Sequence, residues 1–202
     1  MTGVQTCALP IFEQLASLRC MPGITVIRPA DANETSYAWK YAVENKQGPC
    51  ALIFSRQNLP ILPGTAERGK DGLARGAYVL ADAPDGKPQA IIIATGSEVQ
   101  LALAAREQLA GQGIQVRVVS MPSWELFEKQ DQAYKDSVLL PDVKARLAVE
   151  MGATLGWHRY TGDSGAVMGI DRFGASAPAS IIIKEYGFTV ENVVSKVKEL
   201  LS

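Results

Sequence analysis

Arg56 is the residue of this sequence whose type and position could most directly bind an anion. It lies in the polar stretch of residues 55–58, which follows a run of apolar residues at positions 50–54. Such a run predicts a strand buried on both faces of a parallel sheet, and ligands usually bind beyond the carboxyl ends of these strands. A guanidinium beside hydroxyl and amide side chains suits phosphate or carboxylate. The pattern favours an anion site at Arg56, and the alternative is a surface salt bridge.

A second candidate is the turn formed by Thr95, Gly96 and Ser97, which joins a predicted strand to a predicted helix. Free N–H groups at a helix N-terminus can bind phosphate. The turn lacks the spacing of the dinucleotide-binding fingerprint and the lysine of a phosphate-binding loop. Thr95 and Ser97 are explained more simply as helix caps, since Thr95 stands three residues before Glu98, which is capping-box spacing.

The remaining chemically interesting side chains favour structural roles. His158 is the single histidine and cannot form a two-histidine metal site, so we expect a hydrogen-bonded structural residue. Asp163 and Asp171 lie on glycine-flanked loops, where a carboxylate pair could act as acid and base, although capping of nearby backbone is the commoner role. No serine stands in the pattern of a nucleophile elbow. The sequence therefore predicts no catalytic, cofactor-binding or metal-ligating residue in this chain.

Composition excludes several classes of protein. With 20 basic and 21 acidic side chains among 202 residues, the formal net charge is −1, unlike that of a strongly basic nucleic-acid binder. No apolar run approaches the roughly 20 residues that span a bilayer. Cys7, Cys20 and Cys50 are odd in number and lack CxxC spacing, which indicates neither a disulfide framework nor a zinc site. We expect a cytoplasmic protein with neither nucleic acid nor membrane as a partner.

The elements that would position Arg56 come first in the chain. The sequence predicts a helix at residues 13–19 and a strand at residues 25–27. Asp31 then caps a longer helix, with Glu34 placed to close a capping box. The apolar face of this helix consists of Thr35, Ala38, Trp39, Ala42 and Val43. With the strand at residues 50–54, these elements form an incomplete α/β piece at residues 12–58.

A domain boundary is predicted at residues 59–76, where prolines, glycines and charged residues crowd together. Residues 77–202 then alternate strands and helices, including one helix over residues 124–138. Strands are predicted at residues 77–80, 89–94, 116–119, 145–149 and 166–170. The β-turn-α-β succession over residues 89–119 predicts parallel strands joined by a right-handed crossover. The fold class is therefore α/β.

Residues 1–11 are set apart from the rest of the sequence. They resemble the translated read-through of a sequencing-library adapter, and the alternative is an ordinary short N-terminal segment. A secretory signal would need a basic region before its apolar core, and no Lys or Arg precedes Arg19. We exclude the segment from the fold argument and expect the chain to begin within a longer protein.

Several motifs resemble those of the transketolase family, and the match covers residues 13–202. The motifs at residues 13–19, 27–34 and 55–60 (SRQNLP) resemble the end of its pyrimidine-binding domain. Motifs similar to its C-terminal domain stand at residues 94–99, 120–123, 150–153, 156–160 and 173–178. The resemblance implies a partial pyrimidine-binding domain at residues 12–58 and a linker at residues 59–76. It also implies a C-terminal domain at residues 77–202, built as a mostly parallel mixed sheet flanked by helices.

The resemblance further implies a parent enzyme that transfers two-carbon ketol units between sugar phosphates in the pentose phosphate pathway, as a cytoplasmic homodimer. It would use thiamine diphosphate and a divalent metal, magnesium or calcium. Arg56, by its place in SRQNLP, would bind the substrate phosphate. The family's Gly-Asp-Gly motif is absent, and its activating glutamate and substrate-binding histidines would lie upstream of Glu13. We therefore expect this chain alone to be an inactive fragment that binds no cofactor.

Two alternatives stay open at this point. The chain could be the tail of a related thiamine-diphosphate enzyme, such as a dihydroxyacetone synthase or an oxo-acid dehydrogenase subunit, which share the RPAD and TGSE patterns more loosely. It could also be a non-catalytic binding or assembly module. The SRQNLP and GWHRY motifs favour transketolase.

Overall fold

Strands and helices alternate along the chain, as the predicted α/β class requires. The computed structural model describes residues 13–175 and 177–202, so the segment 1–11 lies outside the described residues. The helices are α1 (Glu13–Arg19), α2 (Ala32–Glu44), α3 (Thr65–Ala74), α4 (Glu98–Ala110), α5 (Trp124–Glu128), α6 (Gln132–Val138), α7 (His158–Thr161), α8 (Ala179–Glu185) and α9 (Val190–Leu201). The strands are β1 (Thr25–Ile27), β2 (Cys50–Leu52), β3 (Tyr78–Ala81), β4 (Ala90–Ala94), β5 (Val116–Ser120), β6 (Arg146–Val149) and β7 (Ala166–Met168).

The larger of two sheets has the strand order β3-β5-β4-β6-β7. β4, β5, β6 and β7 run parallel, and β3 pairs antiparallel with β5. β4, α4 and β5 form the predicted β-α-β unit, with β4 at the centre of the sheet. The structure confirms a mostly parallel mixed sheet flanked by helices.

Ile91, Ile92 and Ile93 show how this sheet divides the core into two layers. All three side chains are fully buried, as expected for a strand covered on both faces. Ile92 packs with apolar side chains of α4 and α9, whereas Ile91 and Ile93 pack with aromatic side chains of α5 and α7. The buried residues of α9 are Val193, Val194 and Val197, which lie on one face of the helix.

The smaller sheet consists of β1 and β2, which pair in parallel. β1 is fully buried, whereas β2 ends at Leu52 and its residues are only half-buried. The prediction of a strand over residues 50–54 is therefore wrong at its end, because the strand stops at Leu52. The prediction that this strand is buried on both faces is also wrong. Within the described residues β2 pairs with β1 alone, which leaves its other edge unpaired.

The apolar face predicted for α2 is only partly buried. Ala38 is inaccessible, but the side chains of Trp39 and Val43 are 55% and 79% exposed. Trp39 stacks on Phe54 with ring centroids 6.2 Å apart. Helical spacing identifies residues that share a face, but a two-stranded sheet is too narrow to cover all of that face.

Residues 59–76 are not an irregular linker throughout, because α3 lies within them. This helix packs against α2 and β3. A Cβ atom at Gly72 would come within 2.3 Å of the Tyr78 ring, and one at Gly69 within 3.3 Å of Tyr37. Two of the glycines that suggested a linker therefore allow close helix packing. The domain boundary itself stays a prediction.

The single helix predicted over residues 124–138 is wrong, because the structure has two helices there. α5 ends at Glu128, and the side chain of Asp131 caps α6 by accepting a hydrogen bond from the Tyr134 N–H. Asp is a preferred N-cap residue. Asp131 is therefore a sequence signal for the break between the two helices, and the prediction of a single helix does not use it.

We predict that Gly76→Ala destabilises the protein by roughly 1–3 kcal/mol more than Gly113→Ala. Both glycines have positive φ angles, +87° and +79°, so both substitutions incur the strain of a left-handed residue. A Cβ atom at Gly76 would also lie 2.2 Å from the Phe127 backbone nitrogen, whereas one at Gly113 has no atom within 4 Å. Urea unfolding of both variants measures the difference, and equal losses would contradict this packing.

Candidate functional site

A cleft of about 870 Å³ lies between the smaller sheet and the C-terminal half of the chain. Part of its wall comes from segments that follow the carboxyl ends of β1, β2, β4 and β6, where ligands of parallel sheets usually bind. The rest comes from α1, from Ala177 and from α8. The described lining residues are Gln14, Leu15, Leu18, Arg28, Pro29, Ile53, Phe54, Ser55, Arg56, Gln57, Gly96, Ser97, Met151, Ala177, Ala179, Ile182 and Ile183. Its volume is typical of a site for a small organic ligand.

Arg56 and Arg28 are the charged side chains of this lining, and no described lining residue is acidic. Arg56 follows β2, is exposed, and forms no ion pair with a described residue. Arg28 follows β1 and is paired with two carboxylates. The free positive charge of the described lining therefore belongs to Arg56, which lies in the loop beyond the end of β2 at Leu52.

Arg28 forms the floor of the cleft and joins the two halves of the chain. Its guanidinium donates to a Glu98 carboxylate oxygen and to the Thr95 carbonyl, 3.1 Å away. Glu98 also accepts from the Ser97 hydroxyl and from the Met151 N–H at 2.9 Å. The three hydrogen bonds of this buried carboxylate all come from groups of the chain itself.

Glu150 is the second buried carboxylate of the floor. It accepts two hydrogen bonds from Arg19, of 2.7 and 2.8 Å, and one of 2.8 Å from the Trp157 indole N–H. Arg28 lies 3.6 Å from it. Burial alone would raise the pKa of the Glu150 carboxyl, but Arg19, Arg28 and Trp157 outweigh burial and lower this pKa.

The Arg19 guanidinium is held on its other side by an aromatic ring. It lies 3.9 Å from the centroid of the Trp124 ring, which is cation–π geometry. Trp124 in turn meets Trp157 edge-to-face at 4.9 Å. Sequence reasoning missed Arg19, Glu150 and Trp157 as a cluster, because the partners Arg19 and Glu150 are 131 residues apart.

The turn of Thr95, Gly96 and Ser97 is used within the chain. The Gly96 N–H and the Thr95 hydroxyl both donate to the Arg28 carbonyl, at 3.1 and 3.3 Å. Gly96 has a φ of +58°, and a Cβ atom there would lie 2.8 Å from the Arg28 side chain. Ser97 is the N-cap residue of α4 but makes no side-chain cap. The expected capping box of Thr95 and Glu98 is therefore wrong. The Thr95 hydroxyl donates to the Arg28 carbonyl, and the Glu98 carboxylate accepts from the Arg28 guanidinium.

A second contact between the halves is centred on Glu34. Asp31 caps α2 as predicted, accepting from the Glu34 N–H at 2.9 Å. The Glu34 carboxylate does not close the capping box. Instead it accepts from the Ala30 N–H and from the hydroxyls of Tyr78 and Ser120, at 2.8, 2.7 and 2.6 Å. Burial raises the pKa of this inaccessible carboxyl, although the three hydrogen bonds oppose the shift.

The other candidates lie away from the cleft. His158 is exposed on α7, and its side chain has no hydrogen bond to a described residue, so the expected structural hydrogen bond is wrong. Asp171 accepts from the N–H and hydroxyl of Thr154, at 2.8 and 2.7 Å, which is a loop-capping role. Asp163 is exposed. The structure does not bring Asp163 and Asp171 together as a hydrogen-bonded pair.

Residues 13–175 and 177–202 contain no group of three or more His, Cys, Asp or Glu side chains that could hold a metal ion. Cys20 and Cys50 are free thiols, and Cys7 lies outside the described residues. No helix in the described part of the chain is long and apolar enough to cross a membrane.

Two family models match the sequence. The model of the transketolase-like TK C-terminal domain matches residues 76–189. The model of the transketolase pyrimidine binding domain matches residues 11–61. Arg56 lies in the second match, and Glu98 and Glu150 lie in the first.

The curated and solved relatives agree with these models. A transketolase of Geobacillus stearothermophilus is 57% identical over 189 residues, covering 94% of this chain and 28% of that protein. A solved transketolase of Leishmania mexicana superposes with a TM-score of 0.86 at 43% identity, covering 94% of this chain and 27% of that chain. A Pichia stipitis transketolase solved with sedoheptulose-7-phosphate gives the same TM-score at 44% identity, covering 95% and 27%. The chain thus spans little more than a quarter of the length of these relatives.

We predict that Glu150→Gln lowers the free energy of unfolding by roughly 3–5 kcal/mol at pH 7, because Arg19 and Arg28 lose a buried counter-charge. Glu44→Gln is the matched control, since Glu44 pairs with Lys40 at 3.9 Å on the exposed surface and is worth less than about 1 kcal/mol. Urea unfolding measures both. Similar losses for the two variants would contradict the role assigned to Glu150.

We also predict that the stability difference between the protein and its Glu150→Gln variant depends on pH. The pKa of Glu150 is lowered from its ordinary 4.5 in the folded protein. Its stabilising contribution is therefore complete above pH 4.5 and is lost as the pH falls through the lowered value. We expect the stability gap between the protein and its Glu150→Gln variant to narrow below about pH 4.5. A stability gap that widens below pH 4.5 would contradict the lowered pKa of Glu150.

Proposed function

The chain belongs to the transketolase family, and we propose that it supplies the substrate-phosphate contact of an enzyme that transfers two-carbon ketol units between sugar phosphates. The proposed enzyme acts in the pentose phosphate pathway, in the cytoplasm and as a homodimer. Its relatives include a transketolase solved with sedoheptulose-7-phosphate, which is a sugar phosphate. The relatives favour transketolase over dihydroxyacetone synthase or an oxo-acid dehydrogenase subunit, because the matched curated proteins are named transketolase.

The observation that carries the proposal is the free charge of Arg56 at the edge of a ligand-sized cleft. Arg28 is neutralised by Glu98 and Glu150, so it does not compete for an anion. Arg56 has no ion-pair partner among the described residues, and its guanidinium can donate two parallel hydrogen bonds to a phosphate. Ser55 and Gln57 line the same cleft beside it and can donate further hydrogen bonds.

The phosphate of a sugar phosphate lies at the far end of the molecule from a ketol carbonyl. Arg56 would therefore hold the substrate equally in the ground state and the transition state, which lowers KM rather than raising kcat. The apolar wall of Leu15, Leu18 and Ile182 would exclude water from the bound chain of carbon atoms.

Thiamine diphosphate, when bound, supplies the carbanion chemistry of ketol transfer. The described residues of this chain do not fit the metal ion that holds its diphosphate. The sequence contains no Gly-Asp-Gly motif, and the described residues hold no carboxylate or histidine cluster of metal-binding geometry. We propose that other parts of the enzyme hold the cofactor and a divalent metal, magnesium or calcium, and that this chain binds substrate.

We predict that the purified 202-residue chain has no ketol-transfer activity with added thiamine diphosphate and magnesium. The physical reason is that the described residues contain no cluster of metal-ligating side chains to hold the magnesium ion of the metal diphosphate. The measurement is a coupled assay with xylulose 5-phosphate and ribose 5-phosphate. The control is a chimaera in which residues 13–202 replace the matching segment of the Geobacillus stearothermophilus transketolase. Turnover by the isolated chain would contradict the prediction.

We predict that Arg56→Ala in this chimaera raises KM for phosphorylated substrates about ten- to a hundredfold, which corresponds to the roughly 1.5–3 kcal/mol of a charge-assisted hydrogen bond. The value of kcat should change little. Arg56→Lys should recover part of the loss, because lysine keeps the charge but not the planar fork. Lys46→Ala is the matched control, since it removes an exposed cation that does not line the cleft.

Kinetics with phosphorylated and unphosphorylated acceptors decide between the two roles of Arg56. A phosphate contact raises KM for the phosphorylated acceptor alone. A surface residue leaves the ratio of kcat/KM between the two acceptors unchanged, and this result would remove Arg56 from the site.

A further inference from the structure

A second cavity, of about 340 Å³, lies beside α5, α6 and α7. Arg146, the first residue of β6, lines it, whereas Met151 beyond the carboxyl end of β6 lines the cleft. The two cavities share no lining residue. The lining of the second cavity combines charged side chains with the apolar residues Phe127, Leu139 and Pro141.

Cations outnumber carboxylates in this lining. Lys135, Lys144, Arg146 and Arg159 face only two carboxylates, although the whole chain has a net charge of −1. One of these carboxylates, Glu128, is shared by Lys135 at 3.0 Å and Arg159 at 3.9 Å. Lys144 has no partner among the described residues. The other carboxylate, Asp136, accepts from the Gln132 amide at 2.7 Å, so the cavity keeps an excess of positive charge.

Arg146 adds charge to the cavity from a fixed position. Its guanidinium donates to the carbonyls of Val143, Leu139, Leu140 and Tyr160 at 2.9–3.0 Å. These neutral acceptors orient the side chain without cancelling its charge. Burial lowers the pKa of Arg146, and Asp136 opposes that shift. The guanidinium thus adds positive potential at the wall of the cavity. Its N–H groups already donate to these carbonyls, so we do not count them as donors to a ligand.

The Tyr160 hydroxyl is an unsatisfied polar group in the same wall. The Tyr160 residue is 3% exposed, it lines the cavity, and its hydroxyl forms no hydrogen bond of regular geometry, although the Glu128 carboxylate and the Arg159 guanidinium lie near it. Buried polar atoms are nearly always hydrogen-bonded. Burial and then the nearby Glu128 carboxylate raise the pKa of this phenol, so it stays protonated and able to donate at neutral pH.

We propose that this cavity binds the phosphate group of a small phosphorylated compound. The free ammonium of Lys144 and the hydroxyl of Tyr160 donate to the phosphate oxygens. Arg146 and Arg159 provide the surrounding positive charge, and the apolar residues contact the organic part. The proposal does not rest on the proposed function, because it involves neither Arg56 nor the cleft.

The experiment uses the full chain carrying Arg56→Ala, so that a phosphate bound in the cleft does not contribute. Inorganic phosphate and propyl phosphate are titrated by calorimetry and by tryptophan fluorescence, because the Trp124 ring lies 5.4 Å from that of Tyr160. Lys144→Ala and Tyr160→Phe are each expected to weaken binding about tenfold or more, as expected for one charge-assisted hydrogen bond. Lys198→Ala, which removes an exposed cation of α9, should leave binding unchanged.

The outcomes separate the sources of binding. Tighter binding of propyl phosphate than of inorganic phosphate supports an organic phosphate as the ligand, and equal binding would overturn the contact assigned to the apolar residues. The site is refuted by a lack of millimolar binding, by binding that neither Lys144→Ala nor Tyr160→Phe weakens, or by equal weakening in Lys198→Ala. Tyr160→Phe should retain its thermal stability, because the hydroxyl has no hydrogen bond of regular geometry to lose. If Tyr160→Phe loses thermal stability, phosphate binding by Lys144→Ala alone decides whether the site exists.

Discussion

The pairing of Arg19 and Arg28 with Glu98 and Glu150 is the interaction on which the rest of the molecule depends. These buried charges come from both halves of the chain, and each would be costly to bury without its partner. A hydrophobic replacement of the whole cluster could be as stable, so its specific contribution is alignment. The charges are satisfied only when β1 and the helix before it lie correctly against β4 and β6, and that alignment forms the cleft.

The same pairing explains why the cleft has one free cation among its described residues. Arg28 lies at the floor but is neutralised by its two carboxylates, and its carbonyl takes the N–H of Gly96. A turn that could have bound phosphate thus serves to hold the two halves together. Arg56 lies beyond this network, exposed and without an ion-pair partner among the described residues, so the positive potential of the cleft is concentrated at the end of β2.

The smaller sheet depends on the larger one for its stability. Two short strands do not form an independent sheet, and the exposed Trp39 and Val43 show how little of α2 they cover. Glu34 provides a second anchor, because Tyr78 and Ser120 of the C-terminal half donate to it. The first part of the chain is therefore held by buried polar contacts more than by a core of its own.

The sequence by itself determined the elements with strong local signals: the strand of three isoleucines, the β-α-β unit, the cap at Asp31 and the position of Arg56 after a strand. Each depends on residues close together in the chain. Only the tertiary structure decided that Glu98 and Glu34 bind distant side chains instead of capping helices, and that Gly72 accommodates Tyr78. The physical reason is that a carboxylate or a glycine fits several local roles. The choice among them is made by partners such as Arg19 and Glu150, 131 residues apart, which only folding brings together.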